Sequence, residues 1–197
     1  MTNTTASAPF PLFRRVSDLL RDNARQRPQA NALADDDSAL DWAALDALVD
    51  RVAASLQQAG LQSGDVVAVC AASSVRYAAV YLGALRAGVV VAPLAPSVTP
   101  EAMVSMLGDA QARLLFADAQ GRAAVPPAMM EGTGALPLVA LDDTGVGTLW
   151  TEWLAPEGAA PQPVDVGPEH PFNIIYSSGT TGNPKGIVQS HGMRWAH

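Results

Sequence analysis

The 197-residue sequence predicts an α/β fold: a largely parallel sheet with flanking helices, then a strand, a loop and a second strand near the C-terminus. Three observations predict it. From Asp65 to Ala117, short continuous apolar runs, typical of strands buried on both faces, alternate with segments of helical periodicity. Ser, Thr or Asp stands before these helical segments and glycine closes several of them. Finally, two strand-like runs, Phe172 to Tyr176 and Ile187 to Ser190, enclose a stretch rich in glycine and hydroxyls.

The first helix is expected over Leu12 to Gln26, with Leu12, Val16, Leu19 and Leu20 packing inward. Asn31 to Ala34 and Ala39 to Leu40 read as short strands around Asp35-Asp36-Asp37, which suits a solvated turn better than a metal site. Asp41 is placed to cap a second helix, because Leu45, Leu48, Val49, Val52, Ala53 and Leu56 then share one face before Gly60. Val66 to Cys70 is a buried strand. Ser74 caps the helix that follows, whose Tyr77, Val80, Tyr81, Ala84 and Leu85 face the sheet until Gly88. Val89 to Ala92 is the next strand, Thr99-Pro100-Glu101 opens another helix with proline at its first position, and Leu114 to Ala117 is a further strand. Such alternation implies right-handed crossovers.

Residues 1–118 are therefore read as an α/β core. Residues 119–171, with clustered Pro, Gly and Ala, read as a connecting segment with ordered pieces at Pro137 to Leu141 and Leu149 to Leu154; Trp150 and Trp153 would anchor it. Residues 172–197 form the strand-loop-strand unit and the start of a helix capped by Ser190.

Several chemistries are disfavoured. Ala71-Ala72-Ser73-Ser74-Val75 after the first core strand has no glycine, so the dinucleotide fingerprint is missing. Cys70, the single cysteine, has no histidine or cation near it in sequence and suits core packing; it also precludes an internal disulfide and fits a reducing cytoplasm. His170, His191 and His197 lack zinc-site spacing, so no metal site is expected. A formal charge of -7 and a pI near 4.7 argue against nucleic acid as a partner. No run approaches the roughly 20 apolar residues of a membrane span, and Met1 to Ser7 has no signal-peptide character.

The chemistry concentrates in Tyr176-Ser177-Ser178-Gly179-Thr180-Thr181-Gly182-Asn183-Pro184-Lys185-Gly186-Ile187. Three glycines allow backbone N–H groups to turn toward an anion, and Ser177, Ser178, Thr180 and Thr181 add hydroxyl donors. Lys185 supplies charge. At about 4 Å from a phosphate oxygen one ammonium contributes roughly 4 kcal/mol at an effective dielectric near 20. The lysine follows proline rather than glycine and leads into a strand, so this is not the loop that ends on a helix N-terminus. A nucleotide polyphosphate, bringing Mg²⁺, is the ligand such a loop fits.

This run matches [ST]-S-G-[ST]-T-G-x-P-K-G at every fixed position, with Asn183 at the variable one, and so resembles the phosphate loop of the adenylate-forming (AMP-binding) enzymes. Leu82 to Gly88 and Ala92-Pro93-Leu94 resemble the same family more loosely. The resemblance implies an N-terminal part of the large AMP-binding domain of an acyl-CoA synthetase. Such an enzyme joins a small carboxylic acid to ATP, releases pyrophosphate, and passes the acyl group to coenzyme A. Ser177, Ser178, Gly179, Thr180, Thr181 and Gly182 would bind the phosphates, with Lys185 both binding and catalytic. His191, where relatives often carry histidine, is expected to help position the site, with plain packing as the alternative.

Family members extend several hundred residues further and carry their remaining nucleotide contacts, acyl pocket, hinge and second catalytic lysine there. The 197 residues alone are accordingly expected to be inactive. Two alternatives stay open: a peptide-synthetase adenylation domain that loads a carrier protein, and a non-catalytic nucleotide-binding module. A homodimer is compatible with the sequence, although no residue pattern specifies it.

Overall fold

A computed structural model describes residues 12–177 and 184–196. Ser178, Gly179, Thr180, Thr181, Gly182 and Asn183 of the expected phosphate loop lie outside the described residues, as do residues 1–11 and His197.

The first described helix is α1 (Val16–Gln26), which starts one turn later than expected. Arg15 is its N-cap residue and its side chain makes no capping bond, so nothing extends the helix back to Leu12, which is 89% exposed instead of packed. Strands β1 (Asn31–Ala34) and β2 (Ala39–Asp41) form a small antiparallel hairpin. At its tip Asp35 accepts from the amides of Asp37 and Ser38 and, from across the fold, from Val75 N–H at 2.7 Å. The acidic turn therefore also clamps the start of the helix that begins at Val75. Asp41 caps α2 (Trp42–Gln58) through the Ala44 amide at 2.8 Å, as its position implied, and Gly60 leaves the helix at φ +80°.

Next come β3 (Val66–Cys70), α3 (Val75–Arg86), β4 (Val90–Pro93), α4 (Pro100–Asp109) and β5 (Ala112–Ala117). Ser74 and Thr99 cap α3 and α4. Residues 119–171 do more than connect. They contain α5 (Ala119–Ala124), β6 (Leu138–Ala140), β7 (Thr148–Leu149) and α6 (Trp150–Trp153), and both strands join the sheet. Strands β8 (Pro171–Ser177) and β9 (Lys185–Ser190) and the short helix α7 (His191–Trp195) follow.

Among the described residues the main sheet has seven strands in the order β7-β6-β5-β3-β4-β8-β9. All neighbours are parallel except β8 and β9. The pleat sorts the core into two layers. Val67, Val69, Leu114 and Phe116 point to the layer of α2, α3 and α6, whereas Ala68, Cys70, Leu115 and Ala117 point to that of α4 and α5. Burying side chains such as Phe116 and Val69 completely contributes about 1.5–3 kcal/mol each. Helices α2 and α3 meet at Gly83, where an added Cβ would lie 2.4 Å from Val52 Cγ1. Three helices are pinned together by Arg86, whose side chain is 3% exposed and bonds Asp46, Asp50 and Ser17. Trp150 and Trp153 pack together with ring centroids 5.8 Å apart, and Trp153 meets Phe116 edge-on.

The connections leave the sheet on both faces. From β3 the chain turns into α3 on one side, and from the adjacent β4 and β5 into α4 and α5 on the other. The carboxyl ends of these strands form the edge at which open α/β sheets bind ligands.

Candidate functional site

Strand β8 runs parallel to β4, with Val91 opposite Asn173, so its last residues arrive at that carboxyl edge. Strand β9 returns antiparallel, pairing Ser177 with Lys185, Tyr176 with Gly186 and Ile175 with Ile187. The expected strand-loop-strand geometry is present, and Ser177 and Lys185 form its last cross-strand pair. Both are exposed, and among the described residues Lys185 makes no ion pair. Among the described residues no carboxylate neutralises its charge, which suits it to an anion.

Tyr176 points from this stem to α4. Its hydroxyl donates to Asp109 Oδ2 at 2.7 Å and lies 3.1 Å from the Met106 carbonyl. Burial, and then the adjoining Asp109 carboxylate, push the phenol well above its usual range, so it remains a donor. Sequence reasoning missed Asp109. It stands 67 residues before Tyr176 and looks like any acidic helix residue.

At the other end of β9, Ser190 caps α7 through Met193 N–H at 3.2 Å. His191 is 4% exposed, with its ring 4.9 Å from Phe172, and its amide donates to the His170 carbonyl. Burial, followed by neighbouring His170 and Arg15, lowers its pKa to about 4, leaving the ring neutral. It lies six positions beyond Lys185, about 20 Å along the strand at roughly 3.3 Å per residue. His191 thus packs at the base of the hairpin against Phe172, the arrangement that the packing alternative describes.

A second crevice of about 550 Å³ lies on the same sheet edge beyond β3 and β5, lined by Asp35, Ser74, Arg76, Asp118 and Asp142 among others. Its polar groups hold the fold. Asp118 accepts from Ala72 and Gly121, Arg76 binds Asp143 and the Leu141 carbonyl, and Asp142 is gripped by Arg122, which holds its carboxyl below the usual carboxylate range. Cys70 is fully buried and its thiol is pushed up to about 11, so it offers no nucleophile. Among the described residues no group of three or more His, Cys, Asp or Glu could hold a metal ion, and no helix is long and apolar enough to cross a membrane.

A phosphate-loop stem at the carboxyl edge of a doubly covered sheet fits the family that the motif resembles. The family model described as AMP-binding enzyme matches residues 20–196. The chain belongs to the AMP-binding, adenylate-forming enzymes. This AMP-binding chain is 32% identical to a syringomycin synthase of Pseudomonas syringae pv. syringae, over 98% of its own length and 30% of the relative's. It is also 32% identical to a 3-hydroxybenzoate–CoA ligase of Aromatoleum sp. (strain CIB), over 84% of the chain and 33% of that enzyme. Among solved structures, VinN superimposes with a TM-score of 0.77 at 29% identity, covering 91% of the chain and 44% of VinN. The chain thus spans less than half the length of each of these three relatives.

Proposed function

We propose that this chain forms the triphosphate-binding part of a cytoplasmic AMP-forming ligase, in which a carboxylate attacks the α-phosphate of ATP to give an acyl-adenylate and pyrophosphate. The observation that carries the reading is the Ser177–Lys185 pair, which delivers an exposed ammonium and a hydroxyl to the carboxyl edge of the sheet, at the two ends of a sequence matching the family's phosphate loop. A carboxylate resists nucleophiles until one oxygen becomes part of a good leaving group, and adenylation provides that. Lys185 is the group that neutralises the charge growing on pyrophosphate as it departs, with Ser177, Ser178, Thr180 and Thr181 and the amides of Gly179 and Gly182 grasping its oxygens. Mg²⁺ enters with the nucleotide and screens the same charge.

The acyl group then passes to a thiol, and coenzyme A is the acceptor proposed here, in keeping with the relative named as a CoA ligase. A carrier-protein thiol is the second reading, favoured by the equal similarity to a peptide-type synthase. In the intact protein, Lys185→Ala should slow carboxylate-dependent ATP–pyrophosphate exchange by about 10²-fold or more, by analogy with the loss of one oxyanion donor. Unchanged exchange would refute the assignment. Product analysis with coenzyme A or a phosphopantetheinylated carrier then separates the two acceptors.

A further inference from the structure

The stem of the hairpin is bolted to a helix that the loop motif does not mention. Asp109 is the last residue of α4, where the helix dipole disfavours an anion, yet its carboxylate reaches the Tyr176 hydroxyl at 2.7 Å. That hydroxyl also lies 3.1 Å from Met106 O, a carbonyl that already accepts from the Ala110 amide at the end of the helix. Across the ladder from Tyr176 stands Gly186. A Cβ built there would lie 2.9 Å from Asp109 Oδ2, 2.9 Å from Ile174 Cγ2 and 3.1 Å from Tyr176 Cε1. The glycine next to the lysine therefore lets the carboxylate, the phenol and the backbone of β9 close on one another. One residue beyond this contact on each strand are Ser177 and Lys185.

We infer that Tyr176, Asp109 and Gly186 form a latch that fixes the height and direction at which Ser177 and Lys185 meet the triphosphate, making Tyr176 and Asp109 positioning residues for nucleotide binding. The inference rests on the proposed adenylation reaction and adds to it a control of ATP affinity from α4. The physical argument is one of leverage. β9 is an edge strand paired only to β8, and its first residues reach α4 through Tyr176 of β8, whose hydroxyl makes this contact. A hydrogen bond to a charged acceptor is about twice as strong as a neutral one. Losing it lets Lys185 sample positions away from the phosphates without removing its charge.

The test uses the intact enzyme, with the acid identified in a carboxylate panel, and measures pyrophosphate exchange against MgATP and against the acid. Tyr176→Phe, which deletes one oxygen and keeps the ring on Gly186, should raise the KM for ATP about tenfold and leave the KM for the acid within twofold. Asp109→Ala should do the same, and the double variant should be no worse than either single one, because both remove one bond. Asp109→Asn, which keeps an acceptor, should recover part of the loss. A merely structural role would instead reduce the active fraction and kcat toward both substrates and lower the thermal midpoint.

An ATP KM within twofold of wild type in folded Tyr176→Phe overturns the latch, and so does a multiplicative effect in the double variant. If Asp109→Ala fails to fold, Tyr176→Phe and Asp109→Asn decide alone. Failure of the functional reading is seen separately, as a wild-type enzyme with no exchange or a Lys185→Ala variant with full exchange.

Discussion

Ser177 and Lys185 face each other as the terminal pair of an antiparallel ladder whose other strand neighbour is parallel, so a hydroxyl and an ammonium are held side by side where the sheet ends. Two strands fix the lysine's starting point, while its own side chain supplies the reach.

Because Lys185 acts through charge, Lys185→Arg should keep adenylation within about tenfold of wild type, whereas Lys185→Gln should fall about 10²-fold, like the alanine variant. Pyrophosphate exchange at saturating acid measures this. Equal losses in Arg and Gln variants would show that length and shape, not charge, set the role.

Arg86 joins α1, α2 and α3 by bonding Asp46 Oδ1 at 2.5 Å, Asp50 Oδ1 at 2.8 Å and Ser17 Oγ at 2.9 Å. Arg86→Met should destabilise the domain by about 3 kcal/mol, at the low end for a broken buried pair because the two carboxylates keep some solvent contact. Arg86→Lys should recover little, since an ammonium cannot fork between two acids and a hydroxyl. Denaturant unfolding followed by a probe in this domain reads both.

His191 gives a pH signature. Its folded pKa of about 4 lies below the ordinary value of 6.5, so between these values the unfolded chain binds more protons at this site than the folded one. Its contribution should therefore fall as pH drops from 6.5 toward 4, by about 1.4 kcal/mol per pH unit, and be constant above 6.5. His191→Phe keeps a ring beside Phe172, and the native Nε2 has no hydrogen-bond partner among the described residues. The variant should be flatter than wild type over this window when unfolding midpoints are compared. Parallel curves would contradict the burial of a neutral ring.

Cys70 should be inert in the native protein. It is 0% exposed and its thiol is pushed up to about 11 by burial and then by Asp118. At pH 8, alkylation of the Cys70 peptide followed by mass spectrometry should be at least about 10²-fold slower in folded than in denatured protein, since attack requires both opening of the strand and loss of the proton. Comparable rates would place the strand end in solvent.

The helix caps show how far local chemistry reaches. Asp41, Ser74, Thr99 and Ser190 each accept from the amide three residues on, as their positions before apolar periodicity implied. Arg15 carries no such signal and cannot cap, and there the helix started late. Trp150 and Trp153 are legible as anchors, but the short strands beside them are not legible as part of the sheet, because two or three residues carry too little periodicity to be told from loop.

By itself, the sequence determined the alternation of strands and helices, the glycine-hydroxyl run ending in Pro184-Lys185-Gly186 and, through it, the family, because these depend on neighbours a few residues apart. Only the tertiary structure decided that β8 docks beside β4 so that Lys185 stands at the carboxyl edge, that His191 is buried at the opposite end, and that Asp109 holds Tyr176. Those relationships join residues tens of positions apart, and they are set by which apolar faces close on the sheet rather than by any local preference of the chain.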